Sequence, residues 1–301
     1  MALARHEAPA GRVEPASLDR APGDVATGGD AVTVFYERDG ITLYHGDCRD
    51  VLPTLGQVDH VITDPPYARD IYVRLGMPNT KKGSSTPVRL LGQSFELNNG
   101  ARMSQLAAGA IGHIDEILAA VAEQIARVTA RWSLVFSDIE SCHLWRTQLE
   151  AAGMRYVRTG AWTKVDPSPQ FSGDRPSVGF EPCTITHARG PMHWNGGGHA
   201  ALWHHAIAKG ETRPDHPCPK PLPLMLELVS LFTDPGETIL DPFAGSGTTL
   251  VAAYQLGRKA IGIELEEKWC EVTARRLETC TPPLFTVPAE KPQQLTMEET
   301  A

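Results

Sequence analysis

No stretch of this sequence is long and apolar enough to span a membrane, and the N-terminus lacks a signal-peptide hydrophobic region. A cytoplasmic protein without membrane partners is therefore expected. Paired cysteine spacing is also missing. Cys48, Cys142, Cys183, Cys218, Cys270 and Cys280 are scattered singly, which favours reduced thiols over a disulfide framework. Positive charge is in deficit, with a net charge of −8, so the surface is not coated in basic patches. That does not exclude nucleic acid, since a local concentration of Lys and Arg suffices to bind it. No internal repeat is evident. What is present, 301 residues at 42% hydrophobic and 21% charged, suits one large α/β domain or two small ones.

The chain is organised around Val61-Ile62-Thr63-Asp64-Pro65-Pro66-Tyr67. A short apolar run reads as a buried strand. Pro65 and Pro66 then forbid both a helix start at Asp64 and further ladder pairing, leaving a stiff turn at the strand's C-terminal end. Such a turn gathers a carboxylate, prolyl carbonyls and a phenol ring. Two acceptors and a stacking face can grip an amine on a flat ring. At this point an ordinary strand with a Pro-rich turn reads equally well.

Residues 1–30 are rich in Ala, Pro, Gly and Asp without apolar period and read as a disordered tail; 281–301 read as a loose C-terminal tail. Between them, 31–280 read as a single domain. Val32–Tyr36 and Ile41–Tyr44 flank Asp39-Gly40, a strong hairpin signal. A short helix or turn runs over Cys48–Leu55, and Val58–Thr63 is a strand. Residues 68–110 show no pattern and carry Arg69, Arg74, Lys81, Lys82, Arg89 and Arg102 against Asp70 and Glu96. A long structureless loop leaving a strand end is usually functional or disordered, so a solvated loop and a nucleic-acid contact stand side by side.

Apolar periodicity predicts a helix over Ile111–Thr129, a strand over Trp132–Asp138, and a helix over Glu140–Ala152 closed by Gly153. Met154–Lys164 and Glu181–His187 are strand-like, with a Pro/Gly/Ser-rich loop between them. Residues 188–218 read as irregular and hold His193, Trp194, His199, Trp203, His204, His205 and His216. Pro219–Phe232 is a helix, Glu237–Asp241 a strand, Ser246–Leu256 a helix, Ala260–Glu264 a strand and Glu267–Thr279 a helix.

The second half of the site is Asp241-Pro242-Phe243-Ala244-Gly245-Ser246-Gly247-Thr248-Thr249, between a strand and a helix. The glycines permit a tight turn and close ligand approach, and a helix start favours an anionic group. Glu264 ends the next strand, where a carboxylate can accept both hydroxyls of a ribose. A P-loop needs Lys where Thr248 stands, which argues against phosphate transfer. Leu250 occupies the place of a third glycine, which weakens a dinucleotide reading.

Together these motifs resemble the S-adenosylmethionine-dependent DNA amino-methyltransferases of the permuted β group, in which DPPY precedes the glycine turn. The resemblance runs over His45-Gly46-Asp47 through Asp64-Pro65-Pro66-Tyr67, then from His216-Pro217-Cys218-Pro219-Lys220-Pro221 through Arg276. It implies a Rossmann-like doubly wound α/β sheet, mostly parallel with an antiparallel strand, in circularly permuted order. Gly245, Ser246, Gly247, Thr248 and Thr249 would hold the methionine part of S-adenosylmethionine, and Glu264 the ribose. Asp47 and Cys48 would meet the adenine, with Asp241, Phe243 and Lys220 completing the pocket and no metal required.

Asp64, Pro65, Pro66 and Tyr67 would be catalytic, acting on the exocyclic N6 of a flipped adenine. Cytosine-N4 is the alternative, because Asp at position 64 favours adenine without being exclusive to it. Amide methylation of a protein glutamine fits less well, since its tetrapeptide begins with Asn. A catalytically idle binding module is opposed by the intact motifs. Implied partners are DNA and, left open by the sequence, a second copy of the chain and a cognate restriction enzyme.

Arg69, Lys81, Lys82, Arg89, Trp203 and His204 are the candidate DNA contacts, with 188–218 as a small target-recognition insert. Two Pro-Cys pairs, at Cys183 and Cys218, raise covalent cytosine ring methylation. Both precede the glycine turn, opposite to that family's order, so both read as structural. The histidine-rich segment matches no closed zinc spacing.

Overall fold

Asp39 and Gly40 both adopt positive φ, 49° and 83°, the geometry that lets a two-residue loop follow the twist of paired strands. They join β1 (Thr33–Arg38) to β2 (Ile41–His45), antiparallel as the sequence predicts. The computed structural model describes residues 33–67, 114–167, 169, 173–209 and 219–281, with the backbone of 94–96 and 102–104. The predicted N-terminal tail, the C-terminal tail beyond Thr281 and nearly all of the basic loop lie outside those residues.

The chain continues through α1 (Cys48–Val51) and β3 (His60–Thr63). Next come β4 (Ser94–Glu96) and β5 (Arg102–Ser104), a separate antiparallel pair inside the stretch predicted to be patternless. Then follow α2 (Ile114–Val128), β6 (Trp132–Phe136), α3 (Cys142–Ala151), β7 (Arg155–Lys164), β8 (Phe180–His187) and β9 (Leu202–His205). The chain ends with α4 (Leu222–Phe232), β10 (Thr238–Asp241), α5 (Thr248–Gln255), β11 (Lys259–Glu264) and α6 (Glu267–Thr279). No helix among the described residues is long and apolar enough to cross a membrane.

One sheet carries nine strands in the order β1-β2-β11-β10-β3-β6-β8-β7-β9. Neighbours from β2 through β6 pair in parallel, as do β7 and β9; β1 and β8 run against their neighbours. The central strands are buried on both faces, which is why they read as continuous apolar runs. Ile62, Leu134, Phe136 and Ile239 pack with α4 and α5, while Val61, Val135, Leu240 and Ile263 pack with α2 and α3. Helices on both faces of a mostly parallel sheet make the doubly wound α/β fold that the sequence implies.

Residues 188–218 are less irregular than predicted, because β9 adds an edge strand there. Trp203 on β9 is fully buried, lying over Gly160 of β7, where an added Cβ would sit 2.6 Å from the ring. The small residue opposite makes room for the large one.

The topology fixes the position of the site. The C-terminal ends of β2, β11, β10, β3 and β6 share one rim, where open α/β sheets bind ligands. Because β8 runs the other way, its N-terminal residues reach that same rim. Glu181 pairs in register with Trp162 near the C-terminal end of β7.

Candidate active site

β3 stops at Thr63, and Asp64 follows at the rim with its side chain 28% exposed. One carboxylate oxygen, Oδ2, takes a hydrogen bond from the Lys220 ammonium. The other, Oδ1, is buried without a donor among the described residues. Lys220 lies just ahead of α4, where Pro221 caps the helix and keeps the approach extended. Its side chain is only 9% exposed, and Nζ lies 3.0 Å from Glu181 Oε2 and 3.2 Å from the Tyr67 hydroxyl. The rings of Phe136, Tyr67 and Trp162 surround it at 5.1, 5.5 and 6.0 Å. Tyr67 donates its own hydroxyl to Glu181 Oε2 at 2.8 Å, and Lys164 pairs with Glu181 Oε1 at 2.8 Å.

Two carboxylates and two ammoniums thus balance in a nearly dry pocket, the arrangement that makes buried charge tolerable. Burial pushes the Glu181 carboxyl up, but Lys220 and Lys164 overcome it and hold the group down to about 2. Lys220 is likewise kept charged, its burial outweighed by Asp64 and Glu181. Asp64 has less support. Burial raises its pKa above the ordinary carboxylate range, with Lys220 opposing and Glu181 adding to the rise. Tyr67 is held well above the usual phenol value by burial and the two nearby carboxylates, so its hydroxyl stays protonated.

The glycine turn is braced from beneath. Asp241 is buried, and its Oδ1 accepts from Thr63 Oγ1 at 2.7 Å and from Phe243 N at 3.1 Å. Its Oδ2 accepts from Thr249 Oγ1 at 2.6 Å. One carboxylate therefore ties the residue preceding Asp64 to both limbs of the turn. Burial raises its pKa to about 6 despite those three donors. Gly247 has φ 76°, and a Cβ there would meet the Thr273 methyl at 2.3 Å, so neither backbone nor space admits a side chain. Arg276 holds the turn from α6, donating to the Ser246 carbonyl and to Thr248 Oγ1.

Beside this turn lies a cleft lined by Asp47, Cys48, Ile117, Phe243, Glu264 and Leu265, among others. Ile117, Phe243 and Leu265 offer apolar walls for a flat ring, and the two carboxylates offer acceptors for hydroxyls or an exocyclic amine. That chemistry fits a nucleoside. Glu264 Oε2 accepts from Gly245 N and Oε1 from Glu266 N, each at 2.8 Å, leaving further lone pairs toward the cleft. Burial lifts its pKa to about 7. Asp47 caps α1, accepting from Arg49 N at 2.8 Å, and hydrogen bonds from the Arg49 side chain lower its pKa. Burial pushes the Cys48 thiol up to about 12, so it lines the cleft as a neutral group.

The structure brings Asp64, Tyr67 and Lys220 together at one place and Asp47, Cys48, Phe243 and Glu264 at another, with Asp241 bridging them. Three assignments change. Lys220, expected in the cofactor pocket, spends its hydrogens on Asp64, Glu181 and Tyr67. Asp241 has both oxygens engaged inside the protein and supports the turn instead of lining the cleft. Trp203 is packed against Gly160 and Phe232 and presents no surface to DNA. Ser246, Thr248 and Thr249 are also buried, as parts of the bracing. His204 is exposed, with Nδ1 2.5 Å from Thr163 Oγ1. Arg69, Lys81, Lys82, Arg89 and Cys218 lie outside the described residues. Cys183 is buried on β8 and its thiol is pushed well up by burial, which suits packing and not nucleophilic attack.

Glu181 was missed. Its sequence signal, an acid at the start of a strand, is faint, because it becomes a rim residue only once β8 is known to be antiparallel.

A family model described as "DNA methylase" matches residues 188–275. The type II methyltransferase M2.LlaDCHI of Lactococcus lactis subsp. cremoris is 25% identical over 269 residues, covering 81% of this chain and 91% of that protein. Among solved structures, the M1.HpyAVI–SAM complex matches with TM-score 0.57 at 22% identity, over 78% of this chain and 98% of the other. The cytosine-N4-specific PvuII DNA methyltransferase matches with TM-score 0.60 at 14% identity, over 81% and 88%. At those identities the two structures speak for the fold.

Proposed function

We propose that the chain, as one of the N6/N4 DNA amino-methyltransferases to which its DNA-methylase match and its type II relative point, methylates the exocyclic N6 of adenine in DNA. The observation that carries the reading is the Asp64 carboxylate, with one oxygen held by Lys220 and the other buried without a donor among the described residues. An orphaned acceptor beside an aromatic ring is a place for an amine hydrogen. The cleft beside the glycine turn lies on the same rim, joined to Asp64 through Asp241 and Thr63. Asp in place of Ser at position 64 supports adenine over cytosine.

S-adenosylmethionine, when bound, supplies an electrophilic methyl on a sulfonium. The residues suited to hold it are Glu264 at the ribose hydroxyls, Asp47 and Cys48 at the purine, and Phe243 against its face. The adenine amine is a poor nucleophile because its lone pair is delocalised into the ring. Asp64 Oδ1 and the Pro65 carbonyl accept its two hydrogens and draw the nitrogen toward tetrahedral geometry, while Tyr67 stacks on the base. The lone pair so exposed would take the sulfonium methyl, forming N–C as C–S breaks, and Asp64 would accept the extra proton from the nitrogen. Catalysis is then mainly positioning and charge placement. The base is inaccessible within a duplex and must be flipped into the pocket.

Tritium transfer from labelled S-adenosylmethionine to DNA, followed by nucleoside chromatography, tests this. Label in N6-methyladenine is expected. Label in N4-methylcytosine would replace the base assignment, and unlabelled DNA would reject the function.

A further inference from the structure

Lys220 has three ammonium hydrogens and three acceptors: Asp64 Oδ2, Glu181 Oε2 and Tyr67 Oη. None is left for a cofactor carboxylate. Glu181 is itself saturated from two further sides, by the Tyr67 hydroxyl and by Lys164. Four side chains from β7, β8, the turn after β3 and the approach to α4 thus form one chain of contacts that reaches Asp64 Oδ2 through Lys220, while Oδ1 has no donor among the described residues.

We propose that Glu181 is a positioning residue of methyl transfer: by holding Lys220 and Tyr67 together, it confines the ammonium to Asp64 Oδ2 and keeps Oδ1 for the target amine. This rests on the amine-methylation reading above. Without Glu181, Lys220 has a hydrogen to spare, and the same carboxylate it already holds carries an unpartnered acceptor among the described residues, Asp64 Oδ1, the one the substrate needs. Tyr67 also loses the acceptor that orients its ring. Lys164 acts at one remove, by fixing Glu181 Oε1.

The pH behaviour of Asp64 follows from the groups that face it. Lys220 favours its ionised form; Glu181 and, from β10, Asp241 oppose it; Tyr67 adds a neutral hydroxyl. Removing the ammonium should therefore move the acid limb of methyl transfer upward.

The experiment compares wild type with Glu181→Gln, Lys220→Met and Lys220→Arg in single-turnover methyl transfer to DNA at saturating S-adenosylmethionine, across pH. Cofactor affinity is measured separately by calorimetry, and folding by thermal unfolding. Glu181→Gln is nearly isosteric. It should lower the saturated rate at least about tenfold, as misplacement of a reacting group does, with cofactor Kd within about twofold of wild type. Lys220→Met should show a similar loss and an acid limb raised by about 1–3 pH units, the usual effect of losing an opposite charge at contact distance. Lys220→Arg should keep the wild-type limb and recover part of the rate.

A Glu181→Gln enzyme with the wild-type saturated rate would overturn the inference. So would a Lys220→Met enzyme whose only defect is weaker cofactor binding, or whose acid limb has not moved. An inactive wild type would instead remove the amine-methylation reading itself, and this inference with it.

Discussion

Lowering the pH from 8 to 6 should weaken binding of S-adenosylmethionine, with Glu264 as the cause. Its carboxyl is lifted to about 7 by burial, against two backbone N–H donors that favour the charged form. Accepting two ribose hydroxyls as well requires the ionised carboxylate. If only that form binds, the apparent Kd scales as one plus the ratio of protonated to ionised Glu264. That factor is about 11 at pH 6 and about 1.1 at pH 8, a tenfold loss of affinity. Glu264→Gln should bind about 10- to 100-fold more weakly at pH 8, the value of charge-assisted hydrogen bonds, and with a flatter pH dependence. Calorimetry on both proteins, with wild type referenced to the variant, subtracts any titration of the ligand. A wild-type Kd unchanged between pH 6 and 8, or the same slope in Glu264→Gln, would refute the reasoning.

Other consequences follow from the bracing of the turn. Asp241→Ala leaves Thr63, Thr249 and the Phe243 N–H without their acceptor, and should cost about 3 kcal/mol or more of stability in urea unfolding, with weaker cofactor binding. Gly247→Ala combines a left-handed backbone with a Cβ 2.3 Å from Thr273. It should cost about 2–5 kcal/mol, read as a fall in unfolding midpoint. Asp241 and Glu264 bind protons more tightly folded than unfolded, so their contribution to stability is complete below the ordinary carboxylate range and is lost as pH rises through about 6 and 7. Asp241 alone should lower the unfolding free energy by on the order of 2–3 kcal/mol between pH 4 and 8. Glu181, held to about 2, acts oppositely: its contribution is present above the ordinary Glu range and is lost as the solution is acidified toward pH 2.

The sequence revealed the features that depend on local chemistry. Asp39-Gly40 announces its hairpin because only certain residues tolerate two positive φ values in succession. Gly245 and Gly247 announce their turn for a similar reason. The carboxylates Asp47, Asp64 and Glu264 follow C-terminal strand ends, so the parallel-sheet rule places them on one rim. What was hidden depended on long-range pairing. Glu181 opens a strand instead of closing one, and only its antiparallel direction brings it to the catalytic rim. Lys220 sits between two prolines in a motif shared with the cofactor half, yet 156 residues separate it from the Asp64 it holds. Leu202–His205 has no alternation of exposed polar and buried apolar residues strong enough to mark an edge strand. Trp203 becomes legible as core only when Gly160 is seen opposite it.

The central claim is that Asp64 grips the amine of an adenine. The measurement that tests it most directly is nucleoside mass spectrometry on DNA from a methylation-deficient host expressing either wild type or Asp64→Ala, alongside calorimetry of both proteins with S-adenosylmethionine. N6-methyladenine should appear with wild type and fall by roughly 10²-fold in turnover with Asp64→Ala, while cofactor affinity is kept. Undiminished N6-methyladenine from Asp64→Ala, or no methylated base from wild type, would contradict it.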